Sequence, residues 1–180
     1  MDRFERLAGA LRRIPGLEVW ENEPMKRHTT FRIGGPARLM ALPRSRKEAA
    51  AAVRAATEVG IAPFFLGNGS NLLVADHGYE GFVLKACGLD QVREVNRRLR
   101  AESGITLARL ANAALGRGLT GLEFAHGIPG TLGGAVVMTA GASGGEMVQV
   151  HTAVTYLDGA GEEHTPVSYT HLTLPTTERV

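Results

Sequence analysis

Apolar and polar positions alternate along this chain in two distinct rhythms. Phe4, Leu7, Ala8 and Leu11 recur at helical spacing, which predicts an amphipathic helix that stops at Ile14-Pro15-Gly16. "LEVWENEP" (17–24) alternates briefly and ends at Pro24. "ARLMAL" (37–42) reads as a strand broken by Pro43. "SRKE" (45–48) is a capping box, with the Ser45 hydroxyl able to accept from the Glu48 N–H while the Glu48 carboxylate reaches back. The alanine-rich run that follows predicts a strong helix closed by Gly60. "APFFL" (62–66) reads as a buried strand, "LLVAD" (72–76) as another, and "GFVLKA" (81–86) as one more. The unit is β-α-β-β with a glycine-rich loop between strands.

A second unit begins near Gly88. "VREVNRRLRAESG" (92–104) predicts one or two strands with polar faces. Leu107, Leu110, Ala111, Ala114 and Leu115 predict a helix with Thr106 as N-cap, ended by Gly116 and Gly118. "VQVHTAVTYL" (148–157) alternates as a strand, and Asp158-Gly159 with Gly161 signals a hairpin turn.

Composition adds constraints. The 180 residues suffice for one ordinary domain or two small ones, and 44% hydrophobic with 21% charged is a globular balance. The net charge is +2, and the densest basic run, Arg97 to Arg100, lacks interleaved aromatics, so no nucleic-acid partner is expected. No apolar run approaches membrane-span length, so no membrane partner is expected either. The single cysteine, Cys87, suits a reducing cytosol, and the six histidines show no metal-ligand spacing, so no metal site is expected. There are 23 glycines, nearly twice the average share of about 7%, and they cluster around apolar segments.

Three glycine-rich stretches carry the candidate chemistry. In "LGNGSNLLV" (66–74), Gly67 and Gly69 permit a backbone whose N–H groups converge on one concavity, a nest for phosphate or diphosphate; Ser70 and Asn71 add donors. Leu72 replaces the third glycine of a Rossmann fingerprint, and no Gly-Lys-Ser/Thr follows, so neither common nucleotide motif is present. The loop alone serves equally well as a plain turn. "HTTFRIGGPA" (28–37) alone is a turn into the strand. In "GLEFAHGIPGTLGGAVVMTAGASGG" (121–145), Ile128-Pro129-Gly130 is a rigid turn. The glycines after it favour a wall for a flat ligand over close helix packing.

Together, in this order and spacing, these stretches resemble the UDP-N-acetylenolpyruvoylglucosamine reductase (MurB) family, from about Pro24 to Thr165. The resemblance implies an α+β fold, the vanillyl-alcohol-oxidase/PCMH-type FAD-binding domain made of two α+β subdomains. Residues 1–23 would be the N-terminal helix and lead-in, 24–87 the first subdomain and 88–165 a partial second one. It implies FAD as cofactor, NADPH as co-substrate, a UDP-sugar substrate and a bacterial cytoplasmic location. Gly67, Asn68, Gly69, Ser70, Asn71 and Leu72 would cradle the FAD diphosphate. Ile128, Pro129, Gly130, Thr131, Gly133, Gly134, Val137 and Gly141 would line the flavin. In the family, NADPH reduces FAD, flavin N5 passes hydride to the enolpyruvyl double bond, and a general acid protonates the product carbon. Alternatives from other classes are another FAD-linked oxidoreductase of this fold and a non-catalytic nucleotide- or diphosphate-binding module.

The chain departs from the family pattern at Thr139, usually Asn, at Ser143, usually an aromatic near the substrate diphosphate, and at His126, usually small. The family's catalytic Arg, Ser and Glu have no counterpart up to Thr165, so no catalytic residue is assigned, and neither turnover nor firm FAD retention is expected of the 180-residue chain. "PVSYTHLTLPTTERV" (166–180) matches a translation of the transposase mosaic end used in sequencing-library adapters, and is expected to be non-native. Genomic reads crossing the Thr165 codon on independent fragments are expected to diverge from it; reads that continue in frame with the same codons would contradict this.

Overall fold

The computed structural model describes residues 2–165. The segment 166–180, expected above to be adapter-derived, lies outside the described residues. The first half comprises α1 (Arg3–Leu11), β1 (Glu18–Pro24), β2 (Pro36–Leu42), α2 (Arg46–Glu58), β3 (Pro63–Leu66) and β4 (Tyr79–Lys85). The strands form one sheet in the order β1-β2-β4-β3. β1 runs antiparallel to β2, whereas β2, β4 and β3 are parallel.

Strand alternation divides the sheet into two apolar faces. Leu39, Ala41, Phe82 and Leu84 pack against Phe4, Leu7, Leu11, Ala52, Val53 and Ala56, so one face carries α1 and α2. Met40 and Val83 point the other way, where Met25, Leu66 and Val74 cover them. Ala37 joins Met40 on this second face although they are an odd three positions apart, because the register with β4 shifts between Ala37 and Leu39. Among the described residues no α-helix covers the second face; the 25–35 connection, which starts with the short 3-10 turn Met25–Arg27, and the 67–78 loop do.

The N-terminal cap of α2 has a variation. The Ser45 hydroxyl accepts from Glu48 N at 3.2 Å, as anticipated, but the Glu48 carboxylate takes the Arg44 N–H at 2.8 Å. Gly60 ends this helix region at φ +68°.

The second half comprises β5 (Val92–Val95), β6 (Arg98–Ala101), α3 (Leu107–Leu115), α4 (Leu132–Val137), β7 (Gly141–Ala142), β8 (Gly145–Glu146), α5 (Met147–Val150), β9 (Tyr156–Leu157) and β10 (Glu163–His164). β5 and β6 are a hairpin, with Asn96 and Arg97 both at positive φ (51° and 57°) in its two-residue turn. Thr106 caps α3 by accepting from Arg109 N at 3.3 Å. Leu107, Ala125, Ala135 and Met147 form a small core of their own. The β9–β10 hairpin lies on α2 of the first half: Thr57 Oγ1 donates to Gly159 O, and Arg46 pairs with Glu163 at 3.0 Å. Asp158 closes its turn by accepting from the N–H groups of Glu162 and Ala160, both at 2.9 Å, and from His164. The bond from the Glu162 N–H, and then that from His164, hold its carboxyl below the usual carboxylate range, so this closure weakens as pH falls through the lowered value.

Three strand expectations fail for physical reasons. "APFFL" does form a strand, but β3 is the sheet edge, so Phe64 and Phe65 stand exposed rather than buried. "LLVAD" forms no strand: the chain must travel back from the end of β3 to start β4 in parallel, and the Ala75 carbonyl accepts from Gly35 N and Gly78 N, both at 2.9 Å, instead of joining a ladder. The strand read over 148–157 shrinks to Tyr156–Leu157, because Glu146 and Gln149 make a capping box (Glu146 N to Gln149 Oε1, 3.1 Å) that starts α5.

Ser45→Ala is expected to lower unfolding free energy by about 1 kcal/mol. Phe65→Ser, at an exposed edge position, is expected to change it by less than about 0.5 kcal/mol. Urea denaturation followed by circular dichroism measures both.

Candidate functional site

The loop that leaves β3 is built for close approach. Gly69 sits at φ +63°, and a Cβ there would overlap the His28 carbonyl oxygen. A Cβ on Gly67 would overlap Thr131 Oγ1. The Gly69 carbonyl accepts from Thr30 twice, from N at 3.1 Å and from Oγ1 at 3.0 Å. Its orientation is thereby set by the 28–35 strap. The Ser70 N–H shares a peptide plane with this carbonyl and points the opposite way. The N–H groups of Asn68, Gly69, Ser70, Asn71 and Leu72 donate to no protein acceptor among the described residues. Gly69 is nevertheless buried. A run of unpartnered donors on a glycine turn, with no acidic side chain from Gly67 to Val74, is an anion-binding arrangement.

The structure brings the second candidate stretch against this loop. Ser70 Oγ donates to Pro129 O at 3.0 Å, and Gly130, at φ +148°, faces Ser70 Oγ. Thr131 is buried beside Gly67 and bridges to Thr106. Gly67, Ser70, Pro129, Gly130 and Thr131 thus form one junction. The remaining glycines divide into two kinds. Gly133 packs on Ser103, with its N–H donating to Ser103 O at 2.7 Å, Gly141 packs on Glu146, and Gly145 packs on the Phe124 ring. Gly134 is exposed, as is Val137. Ile128 packs on the Leu107 core. Asn68 and Asn71 are exposed.

Ser143 lies in the β7–β8 turn at φ +50°, in a groove of about 310 Å³ lined by Thr139, Gly141, Ala142, Ser143 and Glu146. His126 is exposed.

Residues that the pattern reading passed over complete the junction. Thr29 is buried, and its Oγ1 donates to Ile33 O at 3.2 Å, which folds the strap. The Cys87 thiol donates to Gly67 O at 3.1 Å; burial pushes it up from its ordinary value, so it stays a protonated donor. No local motif marks these contacts, although "HTTF" stands two residues from a glycine turn.

A sequence profile described as FAD binding domain matches residues 37–165. The chain belongs to the FAD-binding domain family. It is 50% identical over 141 residues to the UDP-N-acetylenolpyruvoylglucosamine reductase of Caldanaerobacter subterraneus subsp. tengcongensis, covering 78% of this chain and 47% of that protein. It is 46% identical over 158 residues to the Moorella thermoacetica enzyme of the same name, covering 88% and 52%. The chain therefore spans about half the length of the curated relatives it matches. Among solved structures, UDP-N-acetylenolpyruvylglucosamine reductase (MurB) from Thermus caldophilus superposes with a TM-score of 0.66 at 33% identity, over 83% of this chain and 52% of that one. Substrate-bound p-cresol methylhydroxylase superposes at 0.63 with 11% identity, over 91% and 35%, a likeness of fold. The FAD-binding domain here is thus of the α+β vanillyl-alcohol-oxidase/PCMH type.

Within this FAD-binding domain, Thr139 occupies a glycine-like position. α4 ends in a Schellman arrangement: Ala140 N donates to Ala135 O at 2.8 Å and Thr139 N to Val136 O at 3.3 Å, which puts Thr139 at φ +49°. A β-branched residue is strained there, and Asn is tolerated. Thr139→Asn is expected to stabilise the chain by about 1 kcal/mol, read as a higher thermal midpoint; an unchanged or lower midpoint contradicts the strain.

Proposed function

We propose that the glycine loop of this chain holds the diphosphate of FAD and that residues 128–141 flank the flavin. The observation that carries this reading is the run of unpartnered amides from Asn68 to Leu72. A diphosphate presents several acceptor oxygens and needs that many convergent donors, with Ser70 and the Asn68 and Asn71 amides beside them. Gly67 and Gly69 leave the backbone bare where the strap and Thr131 press on it. The residues present therefore fit the group. Ile128, Pro129, Gly130, Thr131, Gly133, Gly134, Val137 and Gly141 are its flavin-side residues. Of these, Pro129, Gly130 and Thr131 seat the wall on the nest, while Gly133 and Gly141 hold the wall's shape by packing. Bound FAD supplies hydride transfer. The chain's part is to hold the diphosphate and orient the ring.

The whole protein is read as an NADPH-dependent reductase of UDP-N-acetylglucosamine enolpyruvate, working in peptidoglycan synthesis in the bacterial cytoplasm. The reading is supported by relatives of that name at 50% and 46% identity. Ser143, in the groove beside Thr139, is its candidate substrate contact from this part of the protein. The proposed division into subdomains falls at 87/88, between β4 and β5.

Titration with FAD, followed by flavin fluorescence, tests the site. Gly69→Ala is expected to weaken FAD binding by about 100-fold or more, the equivalent of about 2.7 kcal/mol, because its Cβ displaces the His28 carbonyl. Equal affinity of Gly69→Ala and wild type contradicts the nest. Retention of UDP or ATP without any flavin binding would favour a plain nucleotide-binding module. In the full-length protein, NADPH oxidation that depends on the enolpyruvyl substrate checks the reaction; oxidation indifferent to that substrate points to another FAD-linked oxidoreductase.

A further inference from the structure

Lys85, His28 and Glu23 form a hydrogen-bonded chain beside the nest. Lys85 Nζ lies 2.7 Å from His28 Nδ1, and His28 Nε2 lies 2.9 Å from Glu23 Oε1. The side chains of His28 and Glu23 are 12% and 16% exposed. An ammonium only donates, so Nδ1 must accept; Nε2 then carries the ring's proton and donates to the carboxylate.

The charged groups around the ring come from three elements. Glu23 reaches it from β1 and Lys85 from β4. Arg27, on the turn between Glu23 and His28, lies 3.7 Å from the same Glu23 oxygen. Cys87 and Asp90 stand beyond Lys85. The Trp20 ring, 6.3 Å away, is uncharged.

The backbone of His28 is the floor of the nest. Its carbonyl oxygen fills the space that a side chain on Gly69 would take, and Thr30, two residues on, clamps the Gly69 carbonyl. Whatever fixes the ring also fixes the strap that clamps Gly69.

We propose that His28 is a positioning residue for the nest: its ring bridges Lys85 to Glu23 and seats the 28–30 backbone against Gly69, so that FAD retention depends on both hydrogen bonds of the ring. This inference rests on the FAD reading of the same loop.

The test compares FAD affinity of the full-length protein in wild type, His28→Gln and His28→Leu. A glutamine can accept from Lys85 and donate to Glu23. His28→Gln is expected to stay within about 2-fold of wild type. His28→Leu is expected to bind about 10-fold more weakly. A merely space-filling role would make the two variants alike. Nitrogen-15 NMR of the FAD-free wild-type protein supplies an independent readout, with the Nε2–H tautomer expected. Equal affinity of His28→Gln and His28→Leu, or an Nδ1–H tautomer, overturns the inference. If His28→Leu does not fold, a loss of about 10-fold or more in His28→Gln overturns it, and the tautomer decides independently. Absence of FAD binding by the full-length wild type has a different signature from bound flavin with equal variants. It overturns the FAD reading and takes this inference with it.

Discussion

Everything about the candidate site follows from the way β3 and β4 are joined. They are parallel neighbours, so the chain must return along the sheet before β4 can begin, and here it does so without a helix. The 67–78 loop therefore lies against the sheet as irregular backbone, and its polar groups need partners from elsewhere. The 25–35 strap supplies them. Gly35 N donates to Ala75 O, Thr30 holds Gly69 O, and the His28 carbonyl sits where a Gly69 side chain would be. The carbonyls of Gly67, Gly69 and Ala75 are satisfied by protein while the amides from Asn68 to Leu72 are left over, and those free donors are what the proposed diphosphate site uses.

The same constraint explains why one face of the sheet carries no α-helix among the described residues. α1 and α2 cover the side formed by Leu39, Ala41, Phe82 and Leu84. On the other side Met25, Leu66 and Val74 close the core from loops, and the shift at Ala37 lets the strap enter at the right level. A loop packed on an apolar face is held on its inner side and polar on its outer side. That is the arrangement needed to present backbone donors without letting them collapse onto each other. The junction with Pro129, Gly130 and Thr131 extends the surface into the second half of the chain. The β9–β10 hairpin on α2 ties the second half back to the first by a separate route.

Much of this was readable before any tertiary information. The Leu7 and Leu11 stripe, the Ser45–Glu48 cap and the Thr106 cap are local rules with local consequences, and each appears where its residues stand. Gly67 and Gly69 were legible as points of close backbone approach, which the Thr131 and His28 contacts occupy. Less legible were the burial of β3 and the fate of 72–76. Phe64 and Phe65 look like core residues, yet their exposure depends on β3 being an edge. "LLVAD" alternates well enough for a strand, yet no neighbouring strand was available to it. Gly133, Gly141 and Gly145 resembled a ligand wall by density alone; contacts with Ser103, Glu146 and Phe124 give them a packing role as well.

The sequence by itself determined the elements whose energetics are local: helix stripes, caps, turn glycines and the motif order that resembles one flavoenzyme family. Only the tertiary structure decided which of these elements meet. The strap and the nest are 39 residues apart at Thr30 and Gly69, and Glu23 and Lys85 reach one histidine from different strands. Such contacts arise from strand order and parallel register, which no window along the chain contains. A glycine announces that close approach is possible; which carbonyl approaches is settled by the sheet.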